Sequence, residues 1–230
     1  MADNFIRAGQ VRAALVIGAE TFSRLLDWQD RTTCVLFGDG AGAAVLEASD
    51  EPGIGILDFE NYVDGTGGQS LCMPAGGSLR PASHETVDQR LHYVKQDGAA
   101  VFKFAVRNTE EAARRILERN QIDPSAIDLF VSHQANQRII QAAADKLGIA
   151  TEKVVINIER FGNTTAATIP LALNDAINEG RLKKGDLVLL VGSALVAMVA
   201  VSIVSEPIHV FLRGITLSFR DLWYSVFGAL

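Results

Sequence analysis

The second half of the chain alternates short apolar runs with longer amphipathic stretches, and this alternation restricts its possible folds more than any other feature. The apolar runs 127–131, 154–158 and 187–191 predict buried strands. Between them, the stretches 137–147 and 165–179 carry apolar residues at helical spacing. Strands that alternate with helices pack as a sheet covered by helices. We therefore expect an α/β fold of layered sheets and helices.

The first half of the chain predicts more strands and one long helix. Residues 1–8 are typical of the end of a helix, and Gly9 is a suitable stop. Residues 99–119 carry apolar side chains on one helical face. The segment 61–88 is polar and rich in glycine, which indicates a long connection. The predicted strands are 11–19, 32–37, 43–46 and 54–59.

A glycine-rich run, Gly38-Asp39-Gly40-Ala41-Gly42, lies between two of these predicted strands. A dinucleotide-binding loop has the spacing G-x-G-x-x-G and opens a helix. Here the spacing is G-x-G-x-G, and the apolar residues that follow are typical of a strand. We therefore predict a tight turn between closely packed strands, and no nucleotide site.

Charge and cysteine content exclude several classes of protein. The net charge is −6, which does not favour binding to nucleic acid. Cys34 and Cys72 are far apart and lack CxxC spacing, so we expect neither a disulfide framework nor a metal site. The first ten residues have no apolar signal-peptide core. These features predict a protein of the reducing cytoplasm.

The stretch 187–205 contains no charged residue and is long enough to span a membrane. The alternative interpretation is two successive buried strands, separated at Gly192 and Ser193. We favour the two strands, because 187–191 continues the strand–helix alternation. The sequence of 207–230 is rich in aromatic residues and predicts no particular element.

Two polar residues stand next to the ends of apolar runs. His133 follows the run 127–131, and Asn163 follows the run 154–158 after a short connection. Neighbouring strand ends would bring the imidazole and the carboxamide over one small volume. Both groups can donate an N–H to a carbonyl oxygen on which negative charge develops. The sequence therefore predicts a site that holds a carbonyl group.

Four motifs in a fixed order carry a resemblance to a known family. They are Arg31-Thr32-Thr33, Phe37-Gly38-Asp39-Gly40-Ala41-Gly42-Ala43-Ala44, His133-Gln134-Ala135-Asn136-Gln137-Arg138 and Phe161-Gly162-Asn163-Thr164-Thr165-Ala166-Ala167. With these motifs, residues 2–191 closely resemble 3-oxoacyl-[acyl-carrier-protein] synthase III, a ketoacyl synthase with the thiolase-like fold.

The resemblance implies a thiolase-like fold with layers in the order αβαβα, of which this chain holds a part. Residues 1–60 would be the end of the N-terminal half. Residues 61–191 would be most of the C-terminal half and carry the site of His133 and Asn163. Residues 192–230 form a hydrophobic tail that is unlike the family. Where the full fold is present, we expect a homodimer.

The resemblance also implies a reaction, a decarboxylative condensation that begins fatty-acid synthesis. An acyl group, typically acetyl, passes from coenzyme A to a cysteine. Malonyl on acyl carrier protein then loses carbon dioxide, and the resulting carbanion attacks the acyl-cysteine. His133 and Asn163 would be catalytic and hold the thioester oxygen. No cofactor is implied, because the coenzyme A thioester is a substrate.

Further residues match binding positions of the family. Arg31 matches a contact to coenzyme A, and Gly98 and Phe102 match the channel for coenzyme A and its pantetheine arm. Ala135 and Asn136 match positions near the pantetheine.

The helix start after His133 matches the family's docking surface for acyl carrier protein. Arg138 would supply the positive charge that attracts this acidic partner, despite the net charge of −6. The matching residues are Gln134, Ala135, Asn136, Gln137 and Arg138.

The chain departs from the family in two places. The family's catalytic cysteine lies in a helix just before the segment that resembles residues 2–6, and this sequence begins at Met1. Neither Cys34, which we predict in a strand, nor Cys72 matches that position. After 187–191, the family's glycine-rich segment ending in Phe-Thr-Trp-Gly is also missing. That segment supplies a backbone N–H of the oxyanion hole.

From these departures we expect the chain alone to be inactive in condensation. One alternative is a non-catalytic module that binds coenzyme A or acyl carrier protein, tethered to a membrane through 187–205. Another is a related thiolase-fold condensing enzyme that uses a different acyl starter.

Overall fold

The computed structural model describes residues 1–194 and 198–205. Most of the predicted tail, residues 195–197 and 206–230, lies outside the described residues. The helices within the described part are α1 (Ala2–Arg7), α2 (His84–Asp88), α3 (Gly98–Arg119), α4 (Gln137–Leu147), α5 (Ile158–Phe161) and α6 (Thr168–Asn178). The strands there are β1 (Ala13–Thr21), β2 (Asp39–Glu47), β3 (Gly55–Tyr62), β4 (Leu71–Cys72), β5 (Lys95–Gln96), β6 (Leu129–Ser132), β7 (Leu187–Ala194) and β8 (Met198–Ser205).

The largest sheet has the strand order β3-β8-β7-β6. β6 and β7 are parallel, and the other two pairs are antiparallel. β6 is buried along its whole length because helices cover both of its faces. Phe130 packs against Ile116 and Ile140 of α3 and α4, whereas Leu129 and Val131 pack toward α6. This layering confirms the predicted α/β fold.

Side-chain caps fix the ends of the two long helices on one face of this sheet. The Asp97 carboxylate accepts the backbone N–H groups of Ala99 and Ala100 at the start of α3. The Asn136 side chain accepts the N–H of Arg138 at the start of α4. α4 ends at Gly148, which has the left-handed conformation with φ 71°.

The glycine run at 38–42 is not the turn we predicted between two strands. Residues 39–42 of the run are the start of β2 itself, which pairs with β1 in a separate antiparallel sheet. The glycines are required by close packing. A Cβ atom at Gly18 would lie 2.2 Å from the carbonyl oxygen of Ala166, and one at Gly42 would lie 2.8 Å from Pro170. The β1–β2 pair therefore presses against the segment 163–170.

The predicted strand at 32–37 is also wrong, because residues 31–36 form consecutive turns. The Asp30 carboxylate accepts the backbone N–H of Thr32, and the Asp30 carbonyl accepts that of Cys34. These local bonds compete with strand pairing. Cys34 is consequently a half-buried residue of a turn and not of a strand.

The predicted strand at 154–158 is reduced to one bridge. Val154 pairs with Phe130 in parallel, and Val155 donates its backbone N–H to the Phe130 carbonyl. The chain then turns into α5 at Ile158. The segment therefore extends the edge of the sheet beside β6 without forming a full strand.

The apolar stretch 187–205 forms β7 and β8, two antiparallel neighbours in the main sheet. This confirms the interpretation as two strands, although Gly192 and Ser193 lie inside β7 and do not separate the two strands. Within the described ranges, none of the helices combines the length and the apolar character that a membrane crossing requires. The division at residue 60 stays a prediction. β3 runs through this position and pairs with β8.

Candidate active site

His133 and Asn163 line one cavity of about 990 Å³. β1, the start of α3, the residues before α4 and the segment 163–170 form its walls. Most of the lining side chains are apolar. The lining also includes four residues that we predicted to bind coenzyme A or its pantetheine arm, namely Gly98, Phe102, Ala135 and Asn136.

His133 stands directly after β6, at the carboxyl end of the strand. Its backbone N–H donates to the Val191 carbonyl over 2.7 Å, so the neighbouring strand fixes its position. On the ring, Nδ1 lies 2.6 Å from Oγ1 of Thr168. Burial in these apolar surroundings lowers the pKa of His133 to about 4. The ring is therefore neutral near pH 7, so its polar contacts are hydrogen bonds and not ion pairs.

Asn163 is fixed through its backbone and its side chain. Its N–H donates to the Leu36 carbonyl over 2.9 Å, and its carbonyl accepts the Gly38 N–H over 3.0 Å. On the side chain, Oδ1 accepts the Thr165 N–H over 3.0 Å. Since Oδ1 is occupied in this way, the amide NH₂ is the group available to the cavity.

The five residues predicted to contact acyl carrier protein divide into different environments. Gln134 is only 1% exposed, and it binds the protein's own backbone instead of a surface partner. Its Nε2 donates to the carbonyls of Ser132 and Val155, and its Oε1 accepts the Asn157 N–H.

Gln137 and Arg138 are exposed in the first turn of α4, whereas Ala135 and Asn136 are half-buried in the cavity wall. The Arg138 guanidinium lies 5.6 Å from the centre of the Phe102 ring. Since Phe102 lines the cavity, Arg138 stands beside it with its charge in solvent.

Arg31 is exposed and lies outside the cavity lining. It belongs to the turn segment 31–36, which Asp30 holds near β5 through an ion pair with Lys95 at 3.5 Å. Gln96, the other residue of β5, lines the cavity. The turn that carries Arg31 is therefore braced against an element of the cavity wall.

Neither cysteine of the chain, Cys34 nor Cys72, lines the cavity. Both are half-buried thiols outside it. Within residues 1–194 and 198–205, no group of three or more His, Cys, Asp or Glu side chains could hold a metal ion.

Two features of the cavity were missed in the sequence. Phe22 and Phe37 stack with their ring centres 4.3 Å apart, and both line the cavity. Thr168, which contacts His133, is the first residue of α6. A hydroxyl residue in the first turn of a helix after a polar motif is a signal that could have identified Thr168.

Two family models match this chain. One describes 3-oxoacyl-[acyl-carrier-protein (ACP)] synthase III and matches residues 1–65, and the other describes the C-terminal part of the same enzyme and matches residues 117–204. Together they cover more than half of the chain. The chain belongs to the 3-oxoacyl-[acyl-carrier-protein] synthase III family. This confirms the resemblance seen in the sequence motifs.

Similar proteins of known name support the same family assignment. The beta-ketoacyl-[acyl-carrier-protein] synthase III of Solibacter usitatus is 61% identical over 188 residues, which are 81% of this chain and 57% of that protein. The chain thus spans little more than half of that relative's length.

Solved structures of family members confirm the thiolase-like fold class. The synthase III of Aquifex aeolicus is 42% identical with a TM-score of 0.77, and the match covers 88% of this chain and 61% of that one. The synthase III of Pseudomonas aeruginosa is 38% identical with a TM-score of 0.79, covering 89% and 61%.

Proposed function

We propose that this chain carries the part of a 3-oxoacyl-[acyl-carrier-protein] synthase III site that holds a malonyl thioester during decarboxylation. The observation that supports this most is that His133 and Asn163 line the same apolar cavity. Each is also bonded to the segment 163–168, through Thr168 and Thr165. Two neutral N–H donors in apolar surroundings suit an oxygen that gains negative charge.

The proposed step breaks the bond between the malonyl carboxylate and its methylene carbon. Carbon dioxide leaves, and the electron pair of that bond passes into the thioester as an enolate. The two donors stabilise the charge on the enolate oxygen. In the complete reaction, the enolate carbon attacks an acyl group on a cysteine and the thiolate leaves. The products are a 3-oxoacyl thioester and the regenerated thiolate.

The acyl-accepting thiolate is the component for which this chain has no candidate. Cys34 and Cys72 lie outside the cavity lining, so neither can receive an acyl group beside His133. We therefore expect the 230-residue chain alone to release carbon dioxide from a malonyl thioester slowly. We expect it not to form a 3-oxoacyl product.

The partners in this proposal are an acyl-coenzyme A, typically acetyl-coenzyme A, and acyl carrier protein. Arg138 supports carrier docking, since it is exposed beside Phe102 at the cavity. An acidic partner would be attracted there despite the overall negative charge. Arg31 is the proposed contact for coenzyme A outside the cavity. A homodimer and a cytoplasmic location remain predictions.

The test is an assay of malonyl-carrier and malonyl-coenzyme A decarboxylation with the purified chain. We expect His133→Ala and Asn163→Ala each to reduce the rate by about 10²–10³-fold, the usual loss for one oxyanion-binding donor. Lys146→Ala is the matched control, because it changes an exposed residue at the other end of α4, away from the proposed docking surface. Equal rates in all four proteins would contradict the proposed role.

The alternative of a non-catalytic binding module predicts a different result. It is supported by the exposed Arg138, which needs no chemistry in the cavity to attract an acidic partner. Carrier binding that Arg138→Glu abolishes, without any decarboxylation by the parent chain, would favour the module. Rapid condensation by the chain alone would contradict our expectation that it lacks a nucleophile.

A further inference from the structure

α5 is a helix of one turn, Ile158–Phe161, and it leads through Gly162 directly to Asn163. A helix of this length is not stable by itself in water, because ordering the first turn costs more than its one hydrogen bond offsets. All four residues of α5 are at least partly exposed, so the burial of apolar side chains contributes little to holding it. Polar contacts from other elements therefore fix this turn.

Asp175 supplies two of these contacts from α6. Its Oδ2 accepts a hydrogen bond from Nδ2 of Asn157 over 2.7 Å and lies 3.1 Å from Nη1 of Arg160. Asn157 directly precedes α5 and Arg160 lies within it, so one carboxylate oxygen contacts the turn at its start and near its end. Asp175 and Asn157 are both buried, and water therefore competes little for the bond between them.

The same network reaches the residue that follows His133. The backbone N–H of Asn157 donates to Oε1 of Gln134 over 3.0 Å, and Gln134 is the next residue after His133 in the chain. Nε2 of Gln134 in turn donates to the carbonyl of Ser132, the last residue of β6. These bonds connect the end of β6 with α5 and, through Asp175, with α6.

Two sets of bonds fix Asn163 relative to different parts of the molecule. Its backbone bonds to Leu36 and Gly38 fasten it to the segment that leads into β2. The network of Asp175 fastens α5, which leads into Asn163, to the end of β6, where His133 stands. The second set therefore bears on the placement of the two cavity donors relative to each other.

We propose that Asp175 is a positioning residue, which fixes α5 and thereby places the side chain of Asn163 relative to His133. Asp175 lies outside the cavity lining, so it does not contact a ligand there. It acts on the site through the position of α5. The placement of Asn163 stands on the contacts above, whereas its effect on decarboxylation rests on the function proposed above.

The first test is the ¹H–¹⁵N spectrum of the side-chain amides in the full chain, where the Asn163 pair is the one missing in Asn163→Ala. We expect Asp175→Asn to shift this pair, because α5 loses its charged contact through Arg160. Asp145→Asn is the matched control, since Asp145 also accepts a side-chain amide proton, from Gln141 over 2.9 Å, but on an exposed part of α4. An Asn163 pair that moves no more in Asp175→Asn than in the control would overturn the proposal.

The second test is the rate of malonyl-thioester decarboxylation in a double-mutant cycle. We expect Asp175→Asn to lower the rate of the parent chain by roughly 10- to 10²-fold, the range in which small misplacements of a catalytic group fall. In the Asn163→Ala background the same change should alter the rate by less than about 2-fold, because the group through which Asp175 acts is already absent. Equal losses in both backgrounds would contradict the positioning role.

Arg160→Gln takes the place of Asp175→Asn if the latter does not fold. It removes the ion pair from the exposed partner and leaves the bond between Asn157 and Asp175 in place. We expect the same shift of the Asn163 pair, and an unshifted pair would again overturn the proposal. A shifted pair in a chain without any decarboxylation would contradict the proposed function and leave the positioning role of Asp175 intact.

Discussion

His133 is held neutral by its surroundings, and this decides what the ring can do at the end of β6. Desolvation keeps its pKa at about 4, well below the ordinary value. A neutral ring offers one N–H and one lone pair. The contact with Thr168 determines which of the two faces the cavity. At this residue, burial determines the protonation state, and the local contacts determine which hydrogen bonds the ring can form.

The lowered pKa of His133 predicts a pH dependence of stability. Between about pH 4 and the unfolded value of about 6.5, the unfolded chain binds a proton that the folded chain does not. The free energy of unfolding therefore falls as the pH drops through this window, by on the order of 2 kcal/mol, and it stays level above it. Urea unfolding at several pH values measures this loss.

His133→Gln is the comparison for this pH series, since glutamine has no titrating group. The carboxylates titrate alike in both proteins, so the difference between the two curves isolates the histidine. We expect the variant to lose less stability between pH 6.5 and 4. Parallel curves would show that the ring is protonated as easily in the folded chain as in the unfolded one.

Gln134 and Gln137 are neighbours in sequence with opposite environments, which gives a matched pair of variants. Gln134 satisfies the Ser132 and Val155 carbonyls and the Asn157 N–H inside the protein. Gln134→Ala would leave these groups buried without partners. We expect it to lower the free energy of unfolding by about 1–3 kcal/mol.

The exposed Gln137→Ala should change the unfolding free energy by no more than about 0.5 kcal/mol in the same measurement. Similar values for both variants would argue against the internal role of Gln134. A selective loss of carrier binding in Gln134→Ala, at unchanged stability, would instead support a direct docking contact.

At the scale of elements, the segment 163–170 packs closely against a strand pair that is far from it in sequence. Gly18 of β1 faces the backbone of Ala166, and Gly38 faces that of Phe161. Both ideal Cβ positions lie 2.2 Å from a carbonyl oxygen. Because these glycines have no side chain, the backbone near Phe161 and Ala166 can pack directly against them.

Gly18→Ala tests this packing. The added methyl group must displace the Ala166 backbone, and overpacking of this kind costs about 1–3 kcal/mol of unfolding free energy. We also expect weaker decarboxylation, because the displaced segment carries Asn163. Gly77→Ala is the control, since its added Cβ meets nothing within 4 Å. Equal melting temperatures for the two variants would contradict the close contact.

The sequence predicted an element correctly where the residues that determine it lie within that element. The start of α4 follows from Asn136 and its end from Gly148, and both signals lie in the helix itself. The turn at 31–36 has apolar residues suited to a strand, but the bonds that Asp30 makes decide otherwise.

The packing role of the glycine run could not be predicted from the sequence around it. The segment 163–170, against which the run packs, lies far from it along the chain. The residue pattern at 38–42 contains no information about this partner. The same holds for Thr168, whose partner His133 lies on another element. The family motifs identified His133 and Asn163, while only the fold revealed what holds their side chains in place.

At the scale of the whole molecule, several apolar side chains of β1 and of the segment before β2 are uncovered. Leu15 and Ile17 are 62% and 63% exposed, and Trp28 and Val35 add further exposed apolar surface. In the described residues these side chains belong to a strand and to turn segments. Exposed apolar surface of this kind favours association.

We expect the chain by itself to self-associate in a concentration-dependent way. The double variant Leu15→Lys/Val35→Lys should reduce this association, because it places two charges on exposed apolar surface outside the cavity lining. Leu79→Lys is the control, since Leu79 is 99% exposed in a different segment. Sedimentation velocity at several concentrations measures the effect. Identical sedimentation of both variants and the parent would locate the association elsewhere.

The hydrogen bond from the Asn163 N–H to the Leu36 carbonyl has a consequence for the order of folding. It joins segments that are widely separated along the chain, and contacts of this kind form slowly because a long loop must close first. The helices and the β6–β7 pair can therefore form before Asn163 makes its native contacts. Protection of the Asn163 amide from hydrogen exchange would then mark the molecules in which folding, and with it the site, is complete.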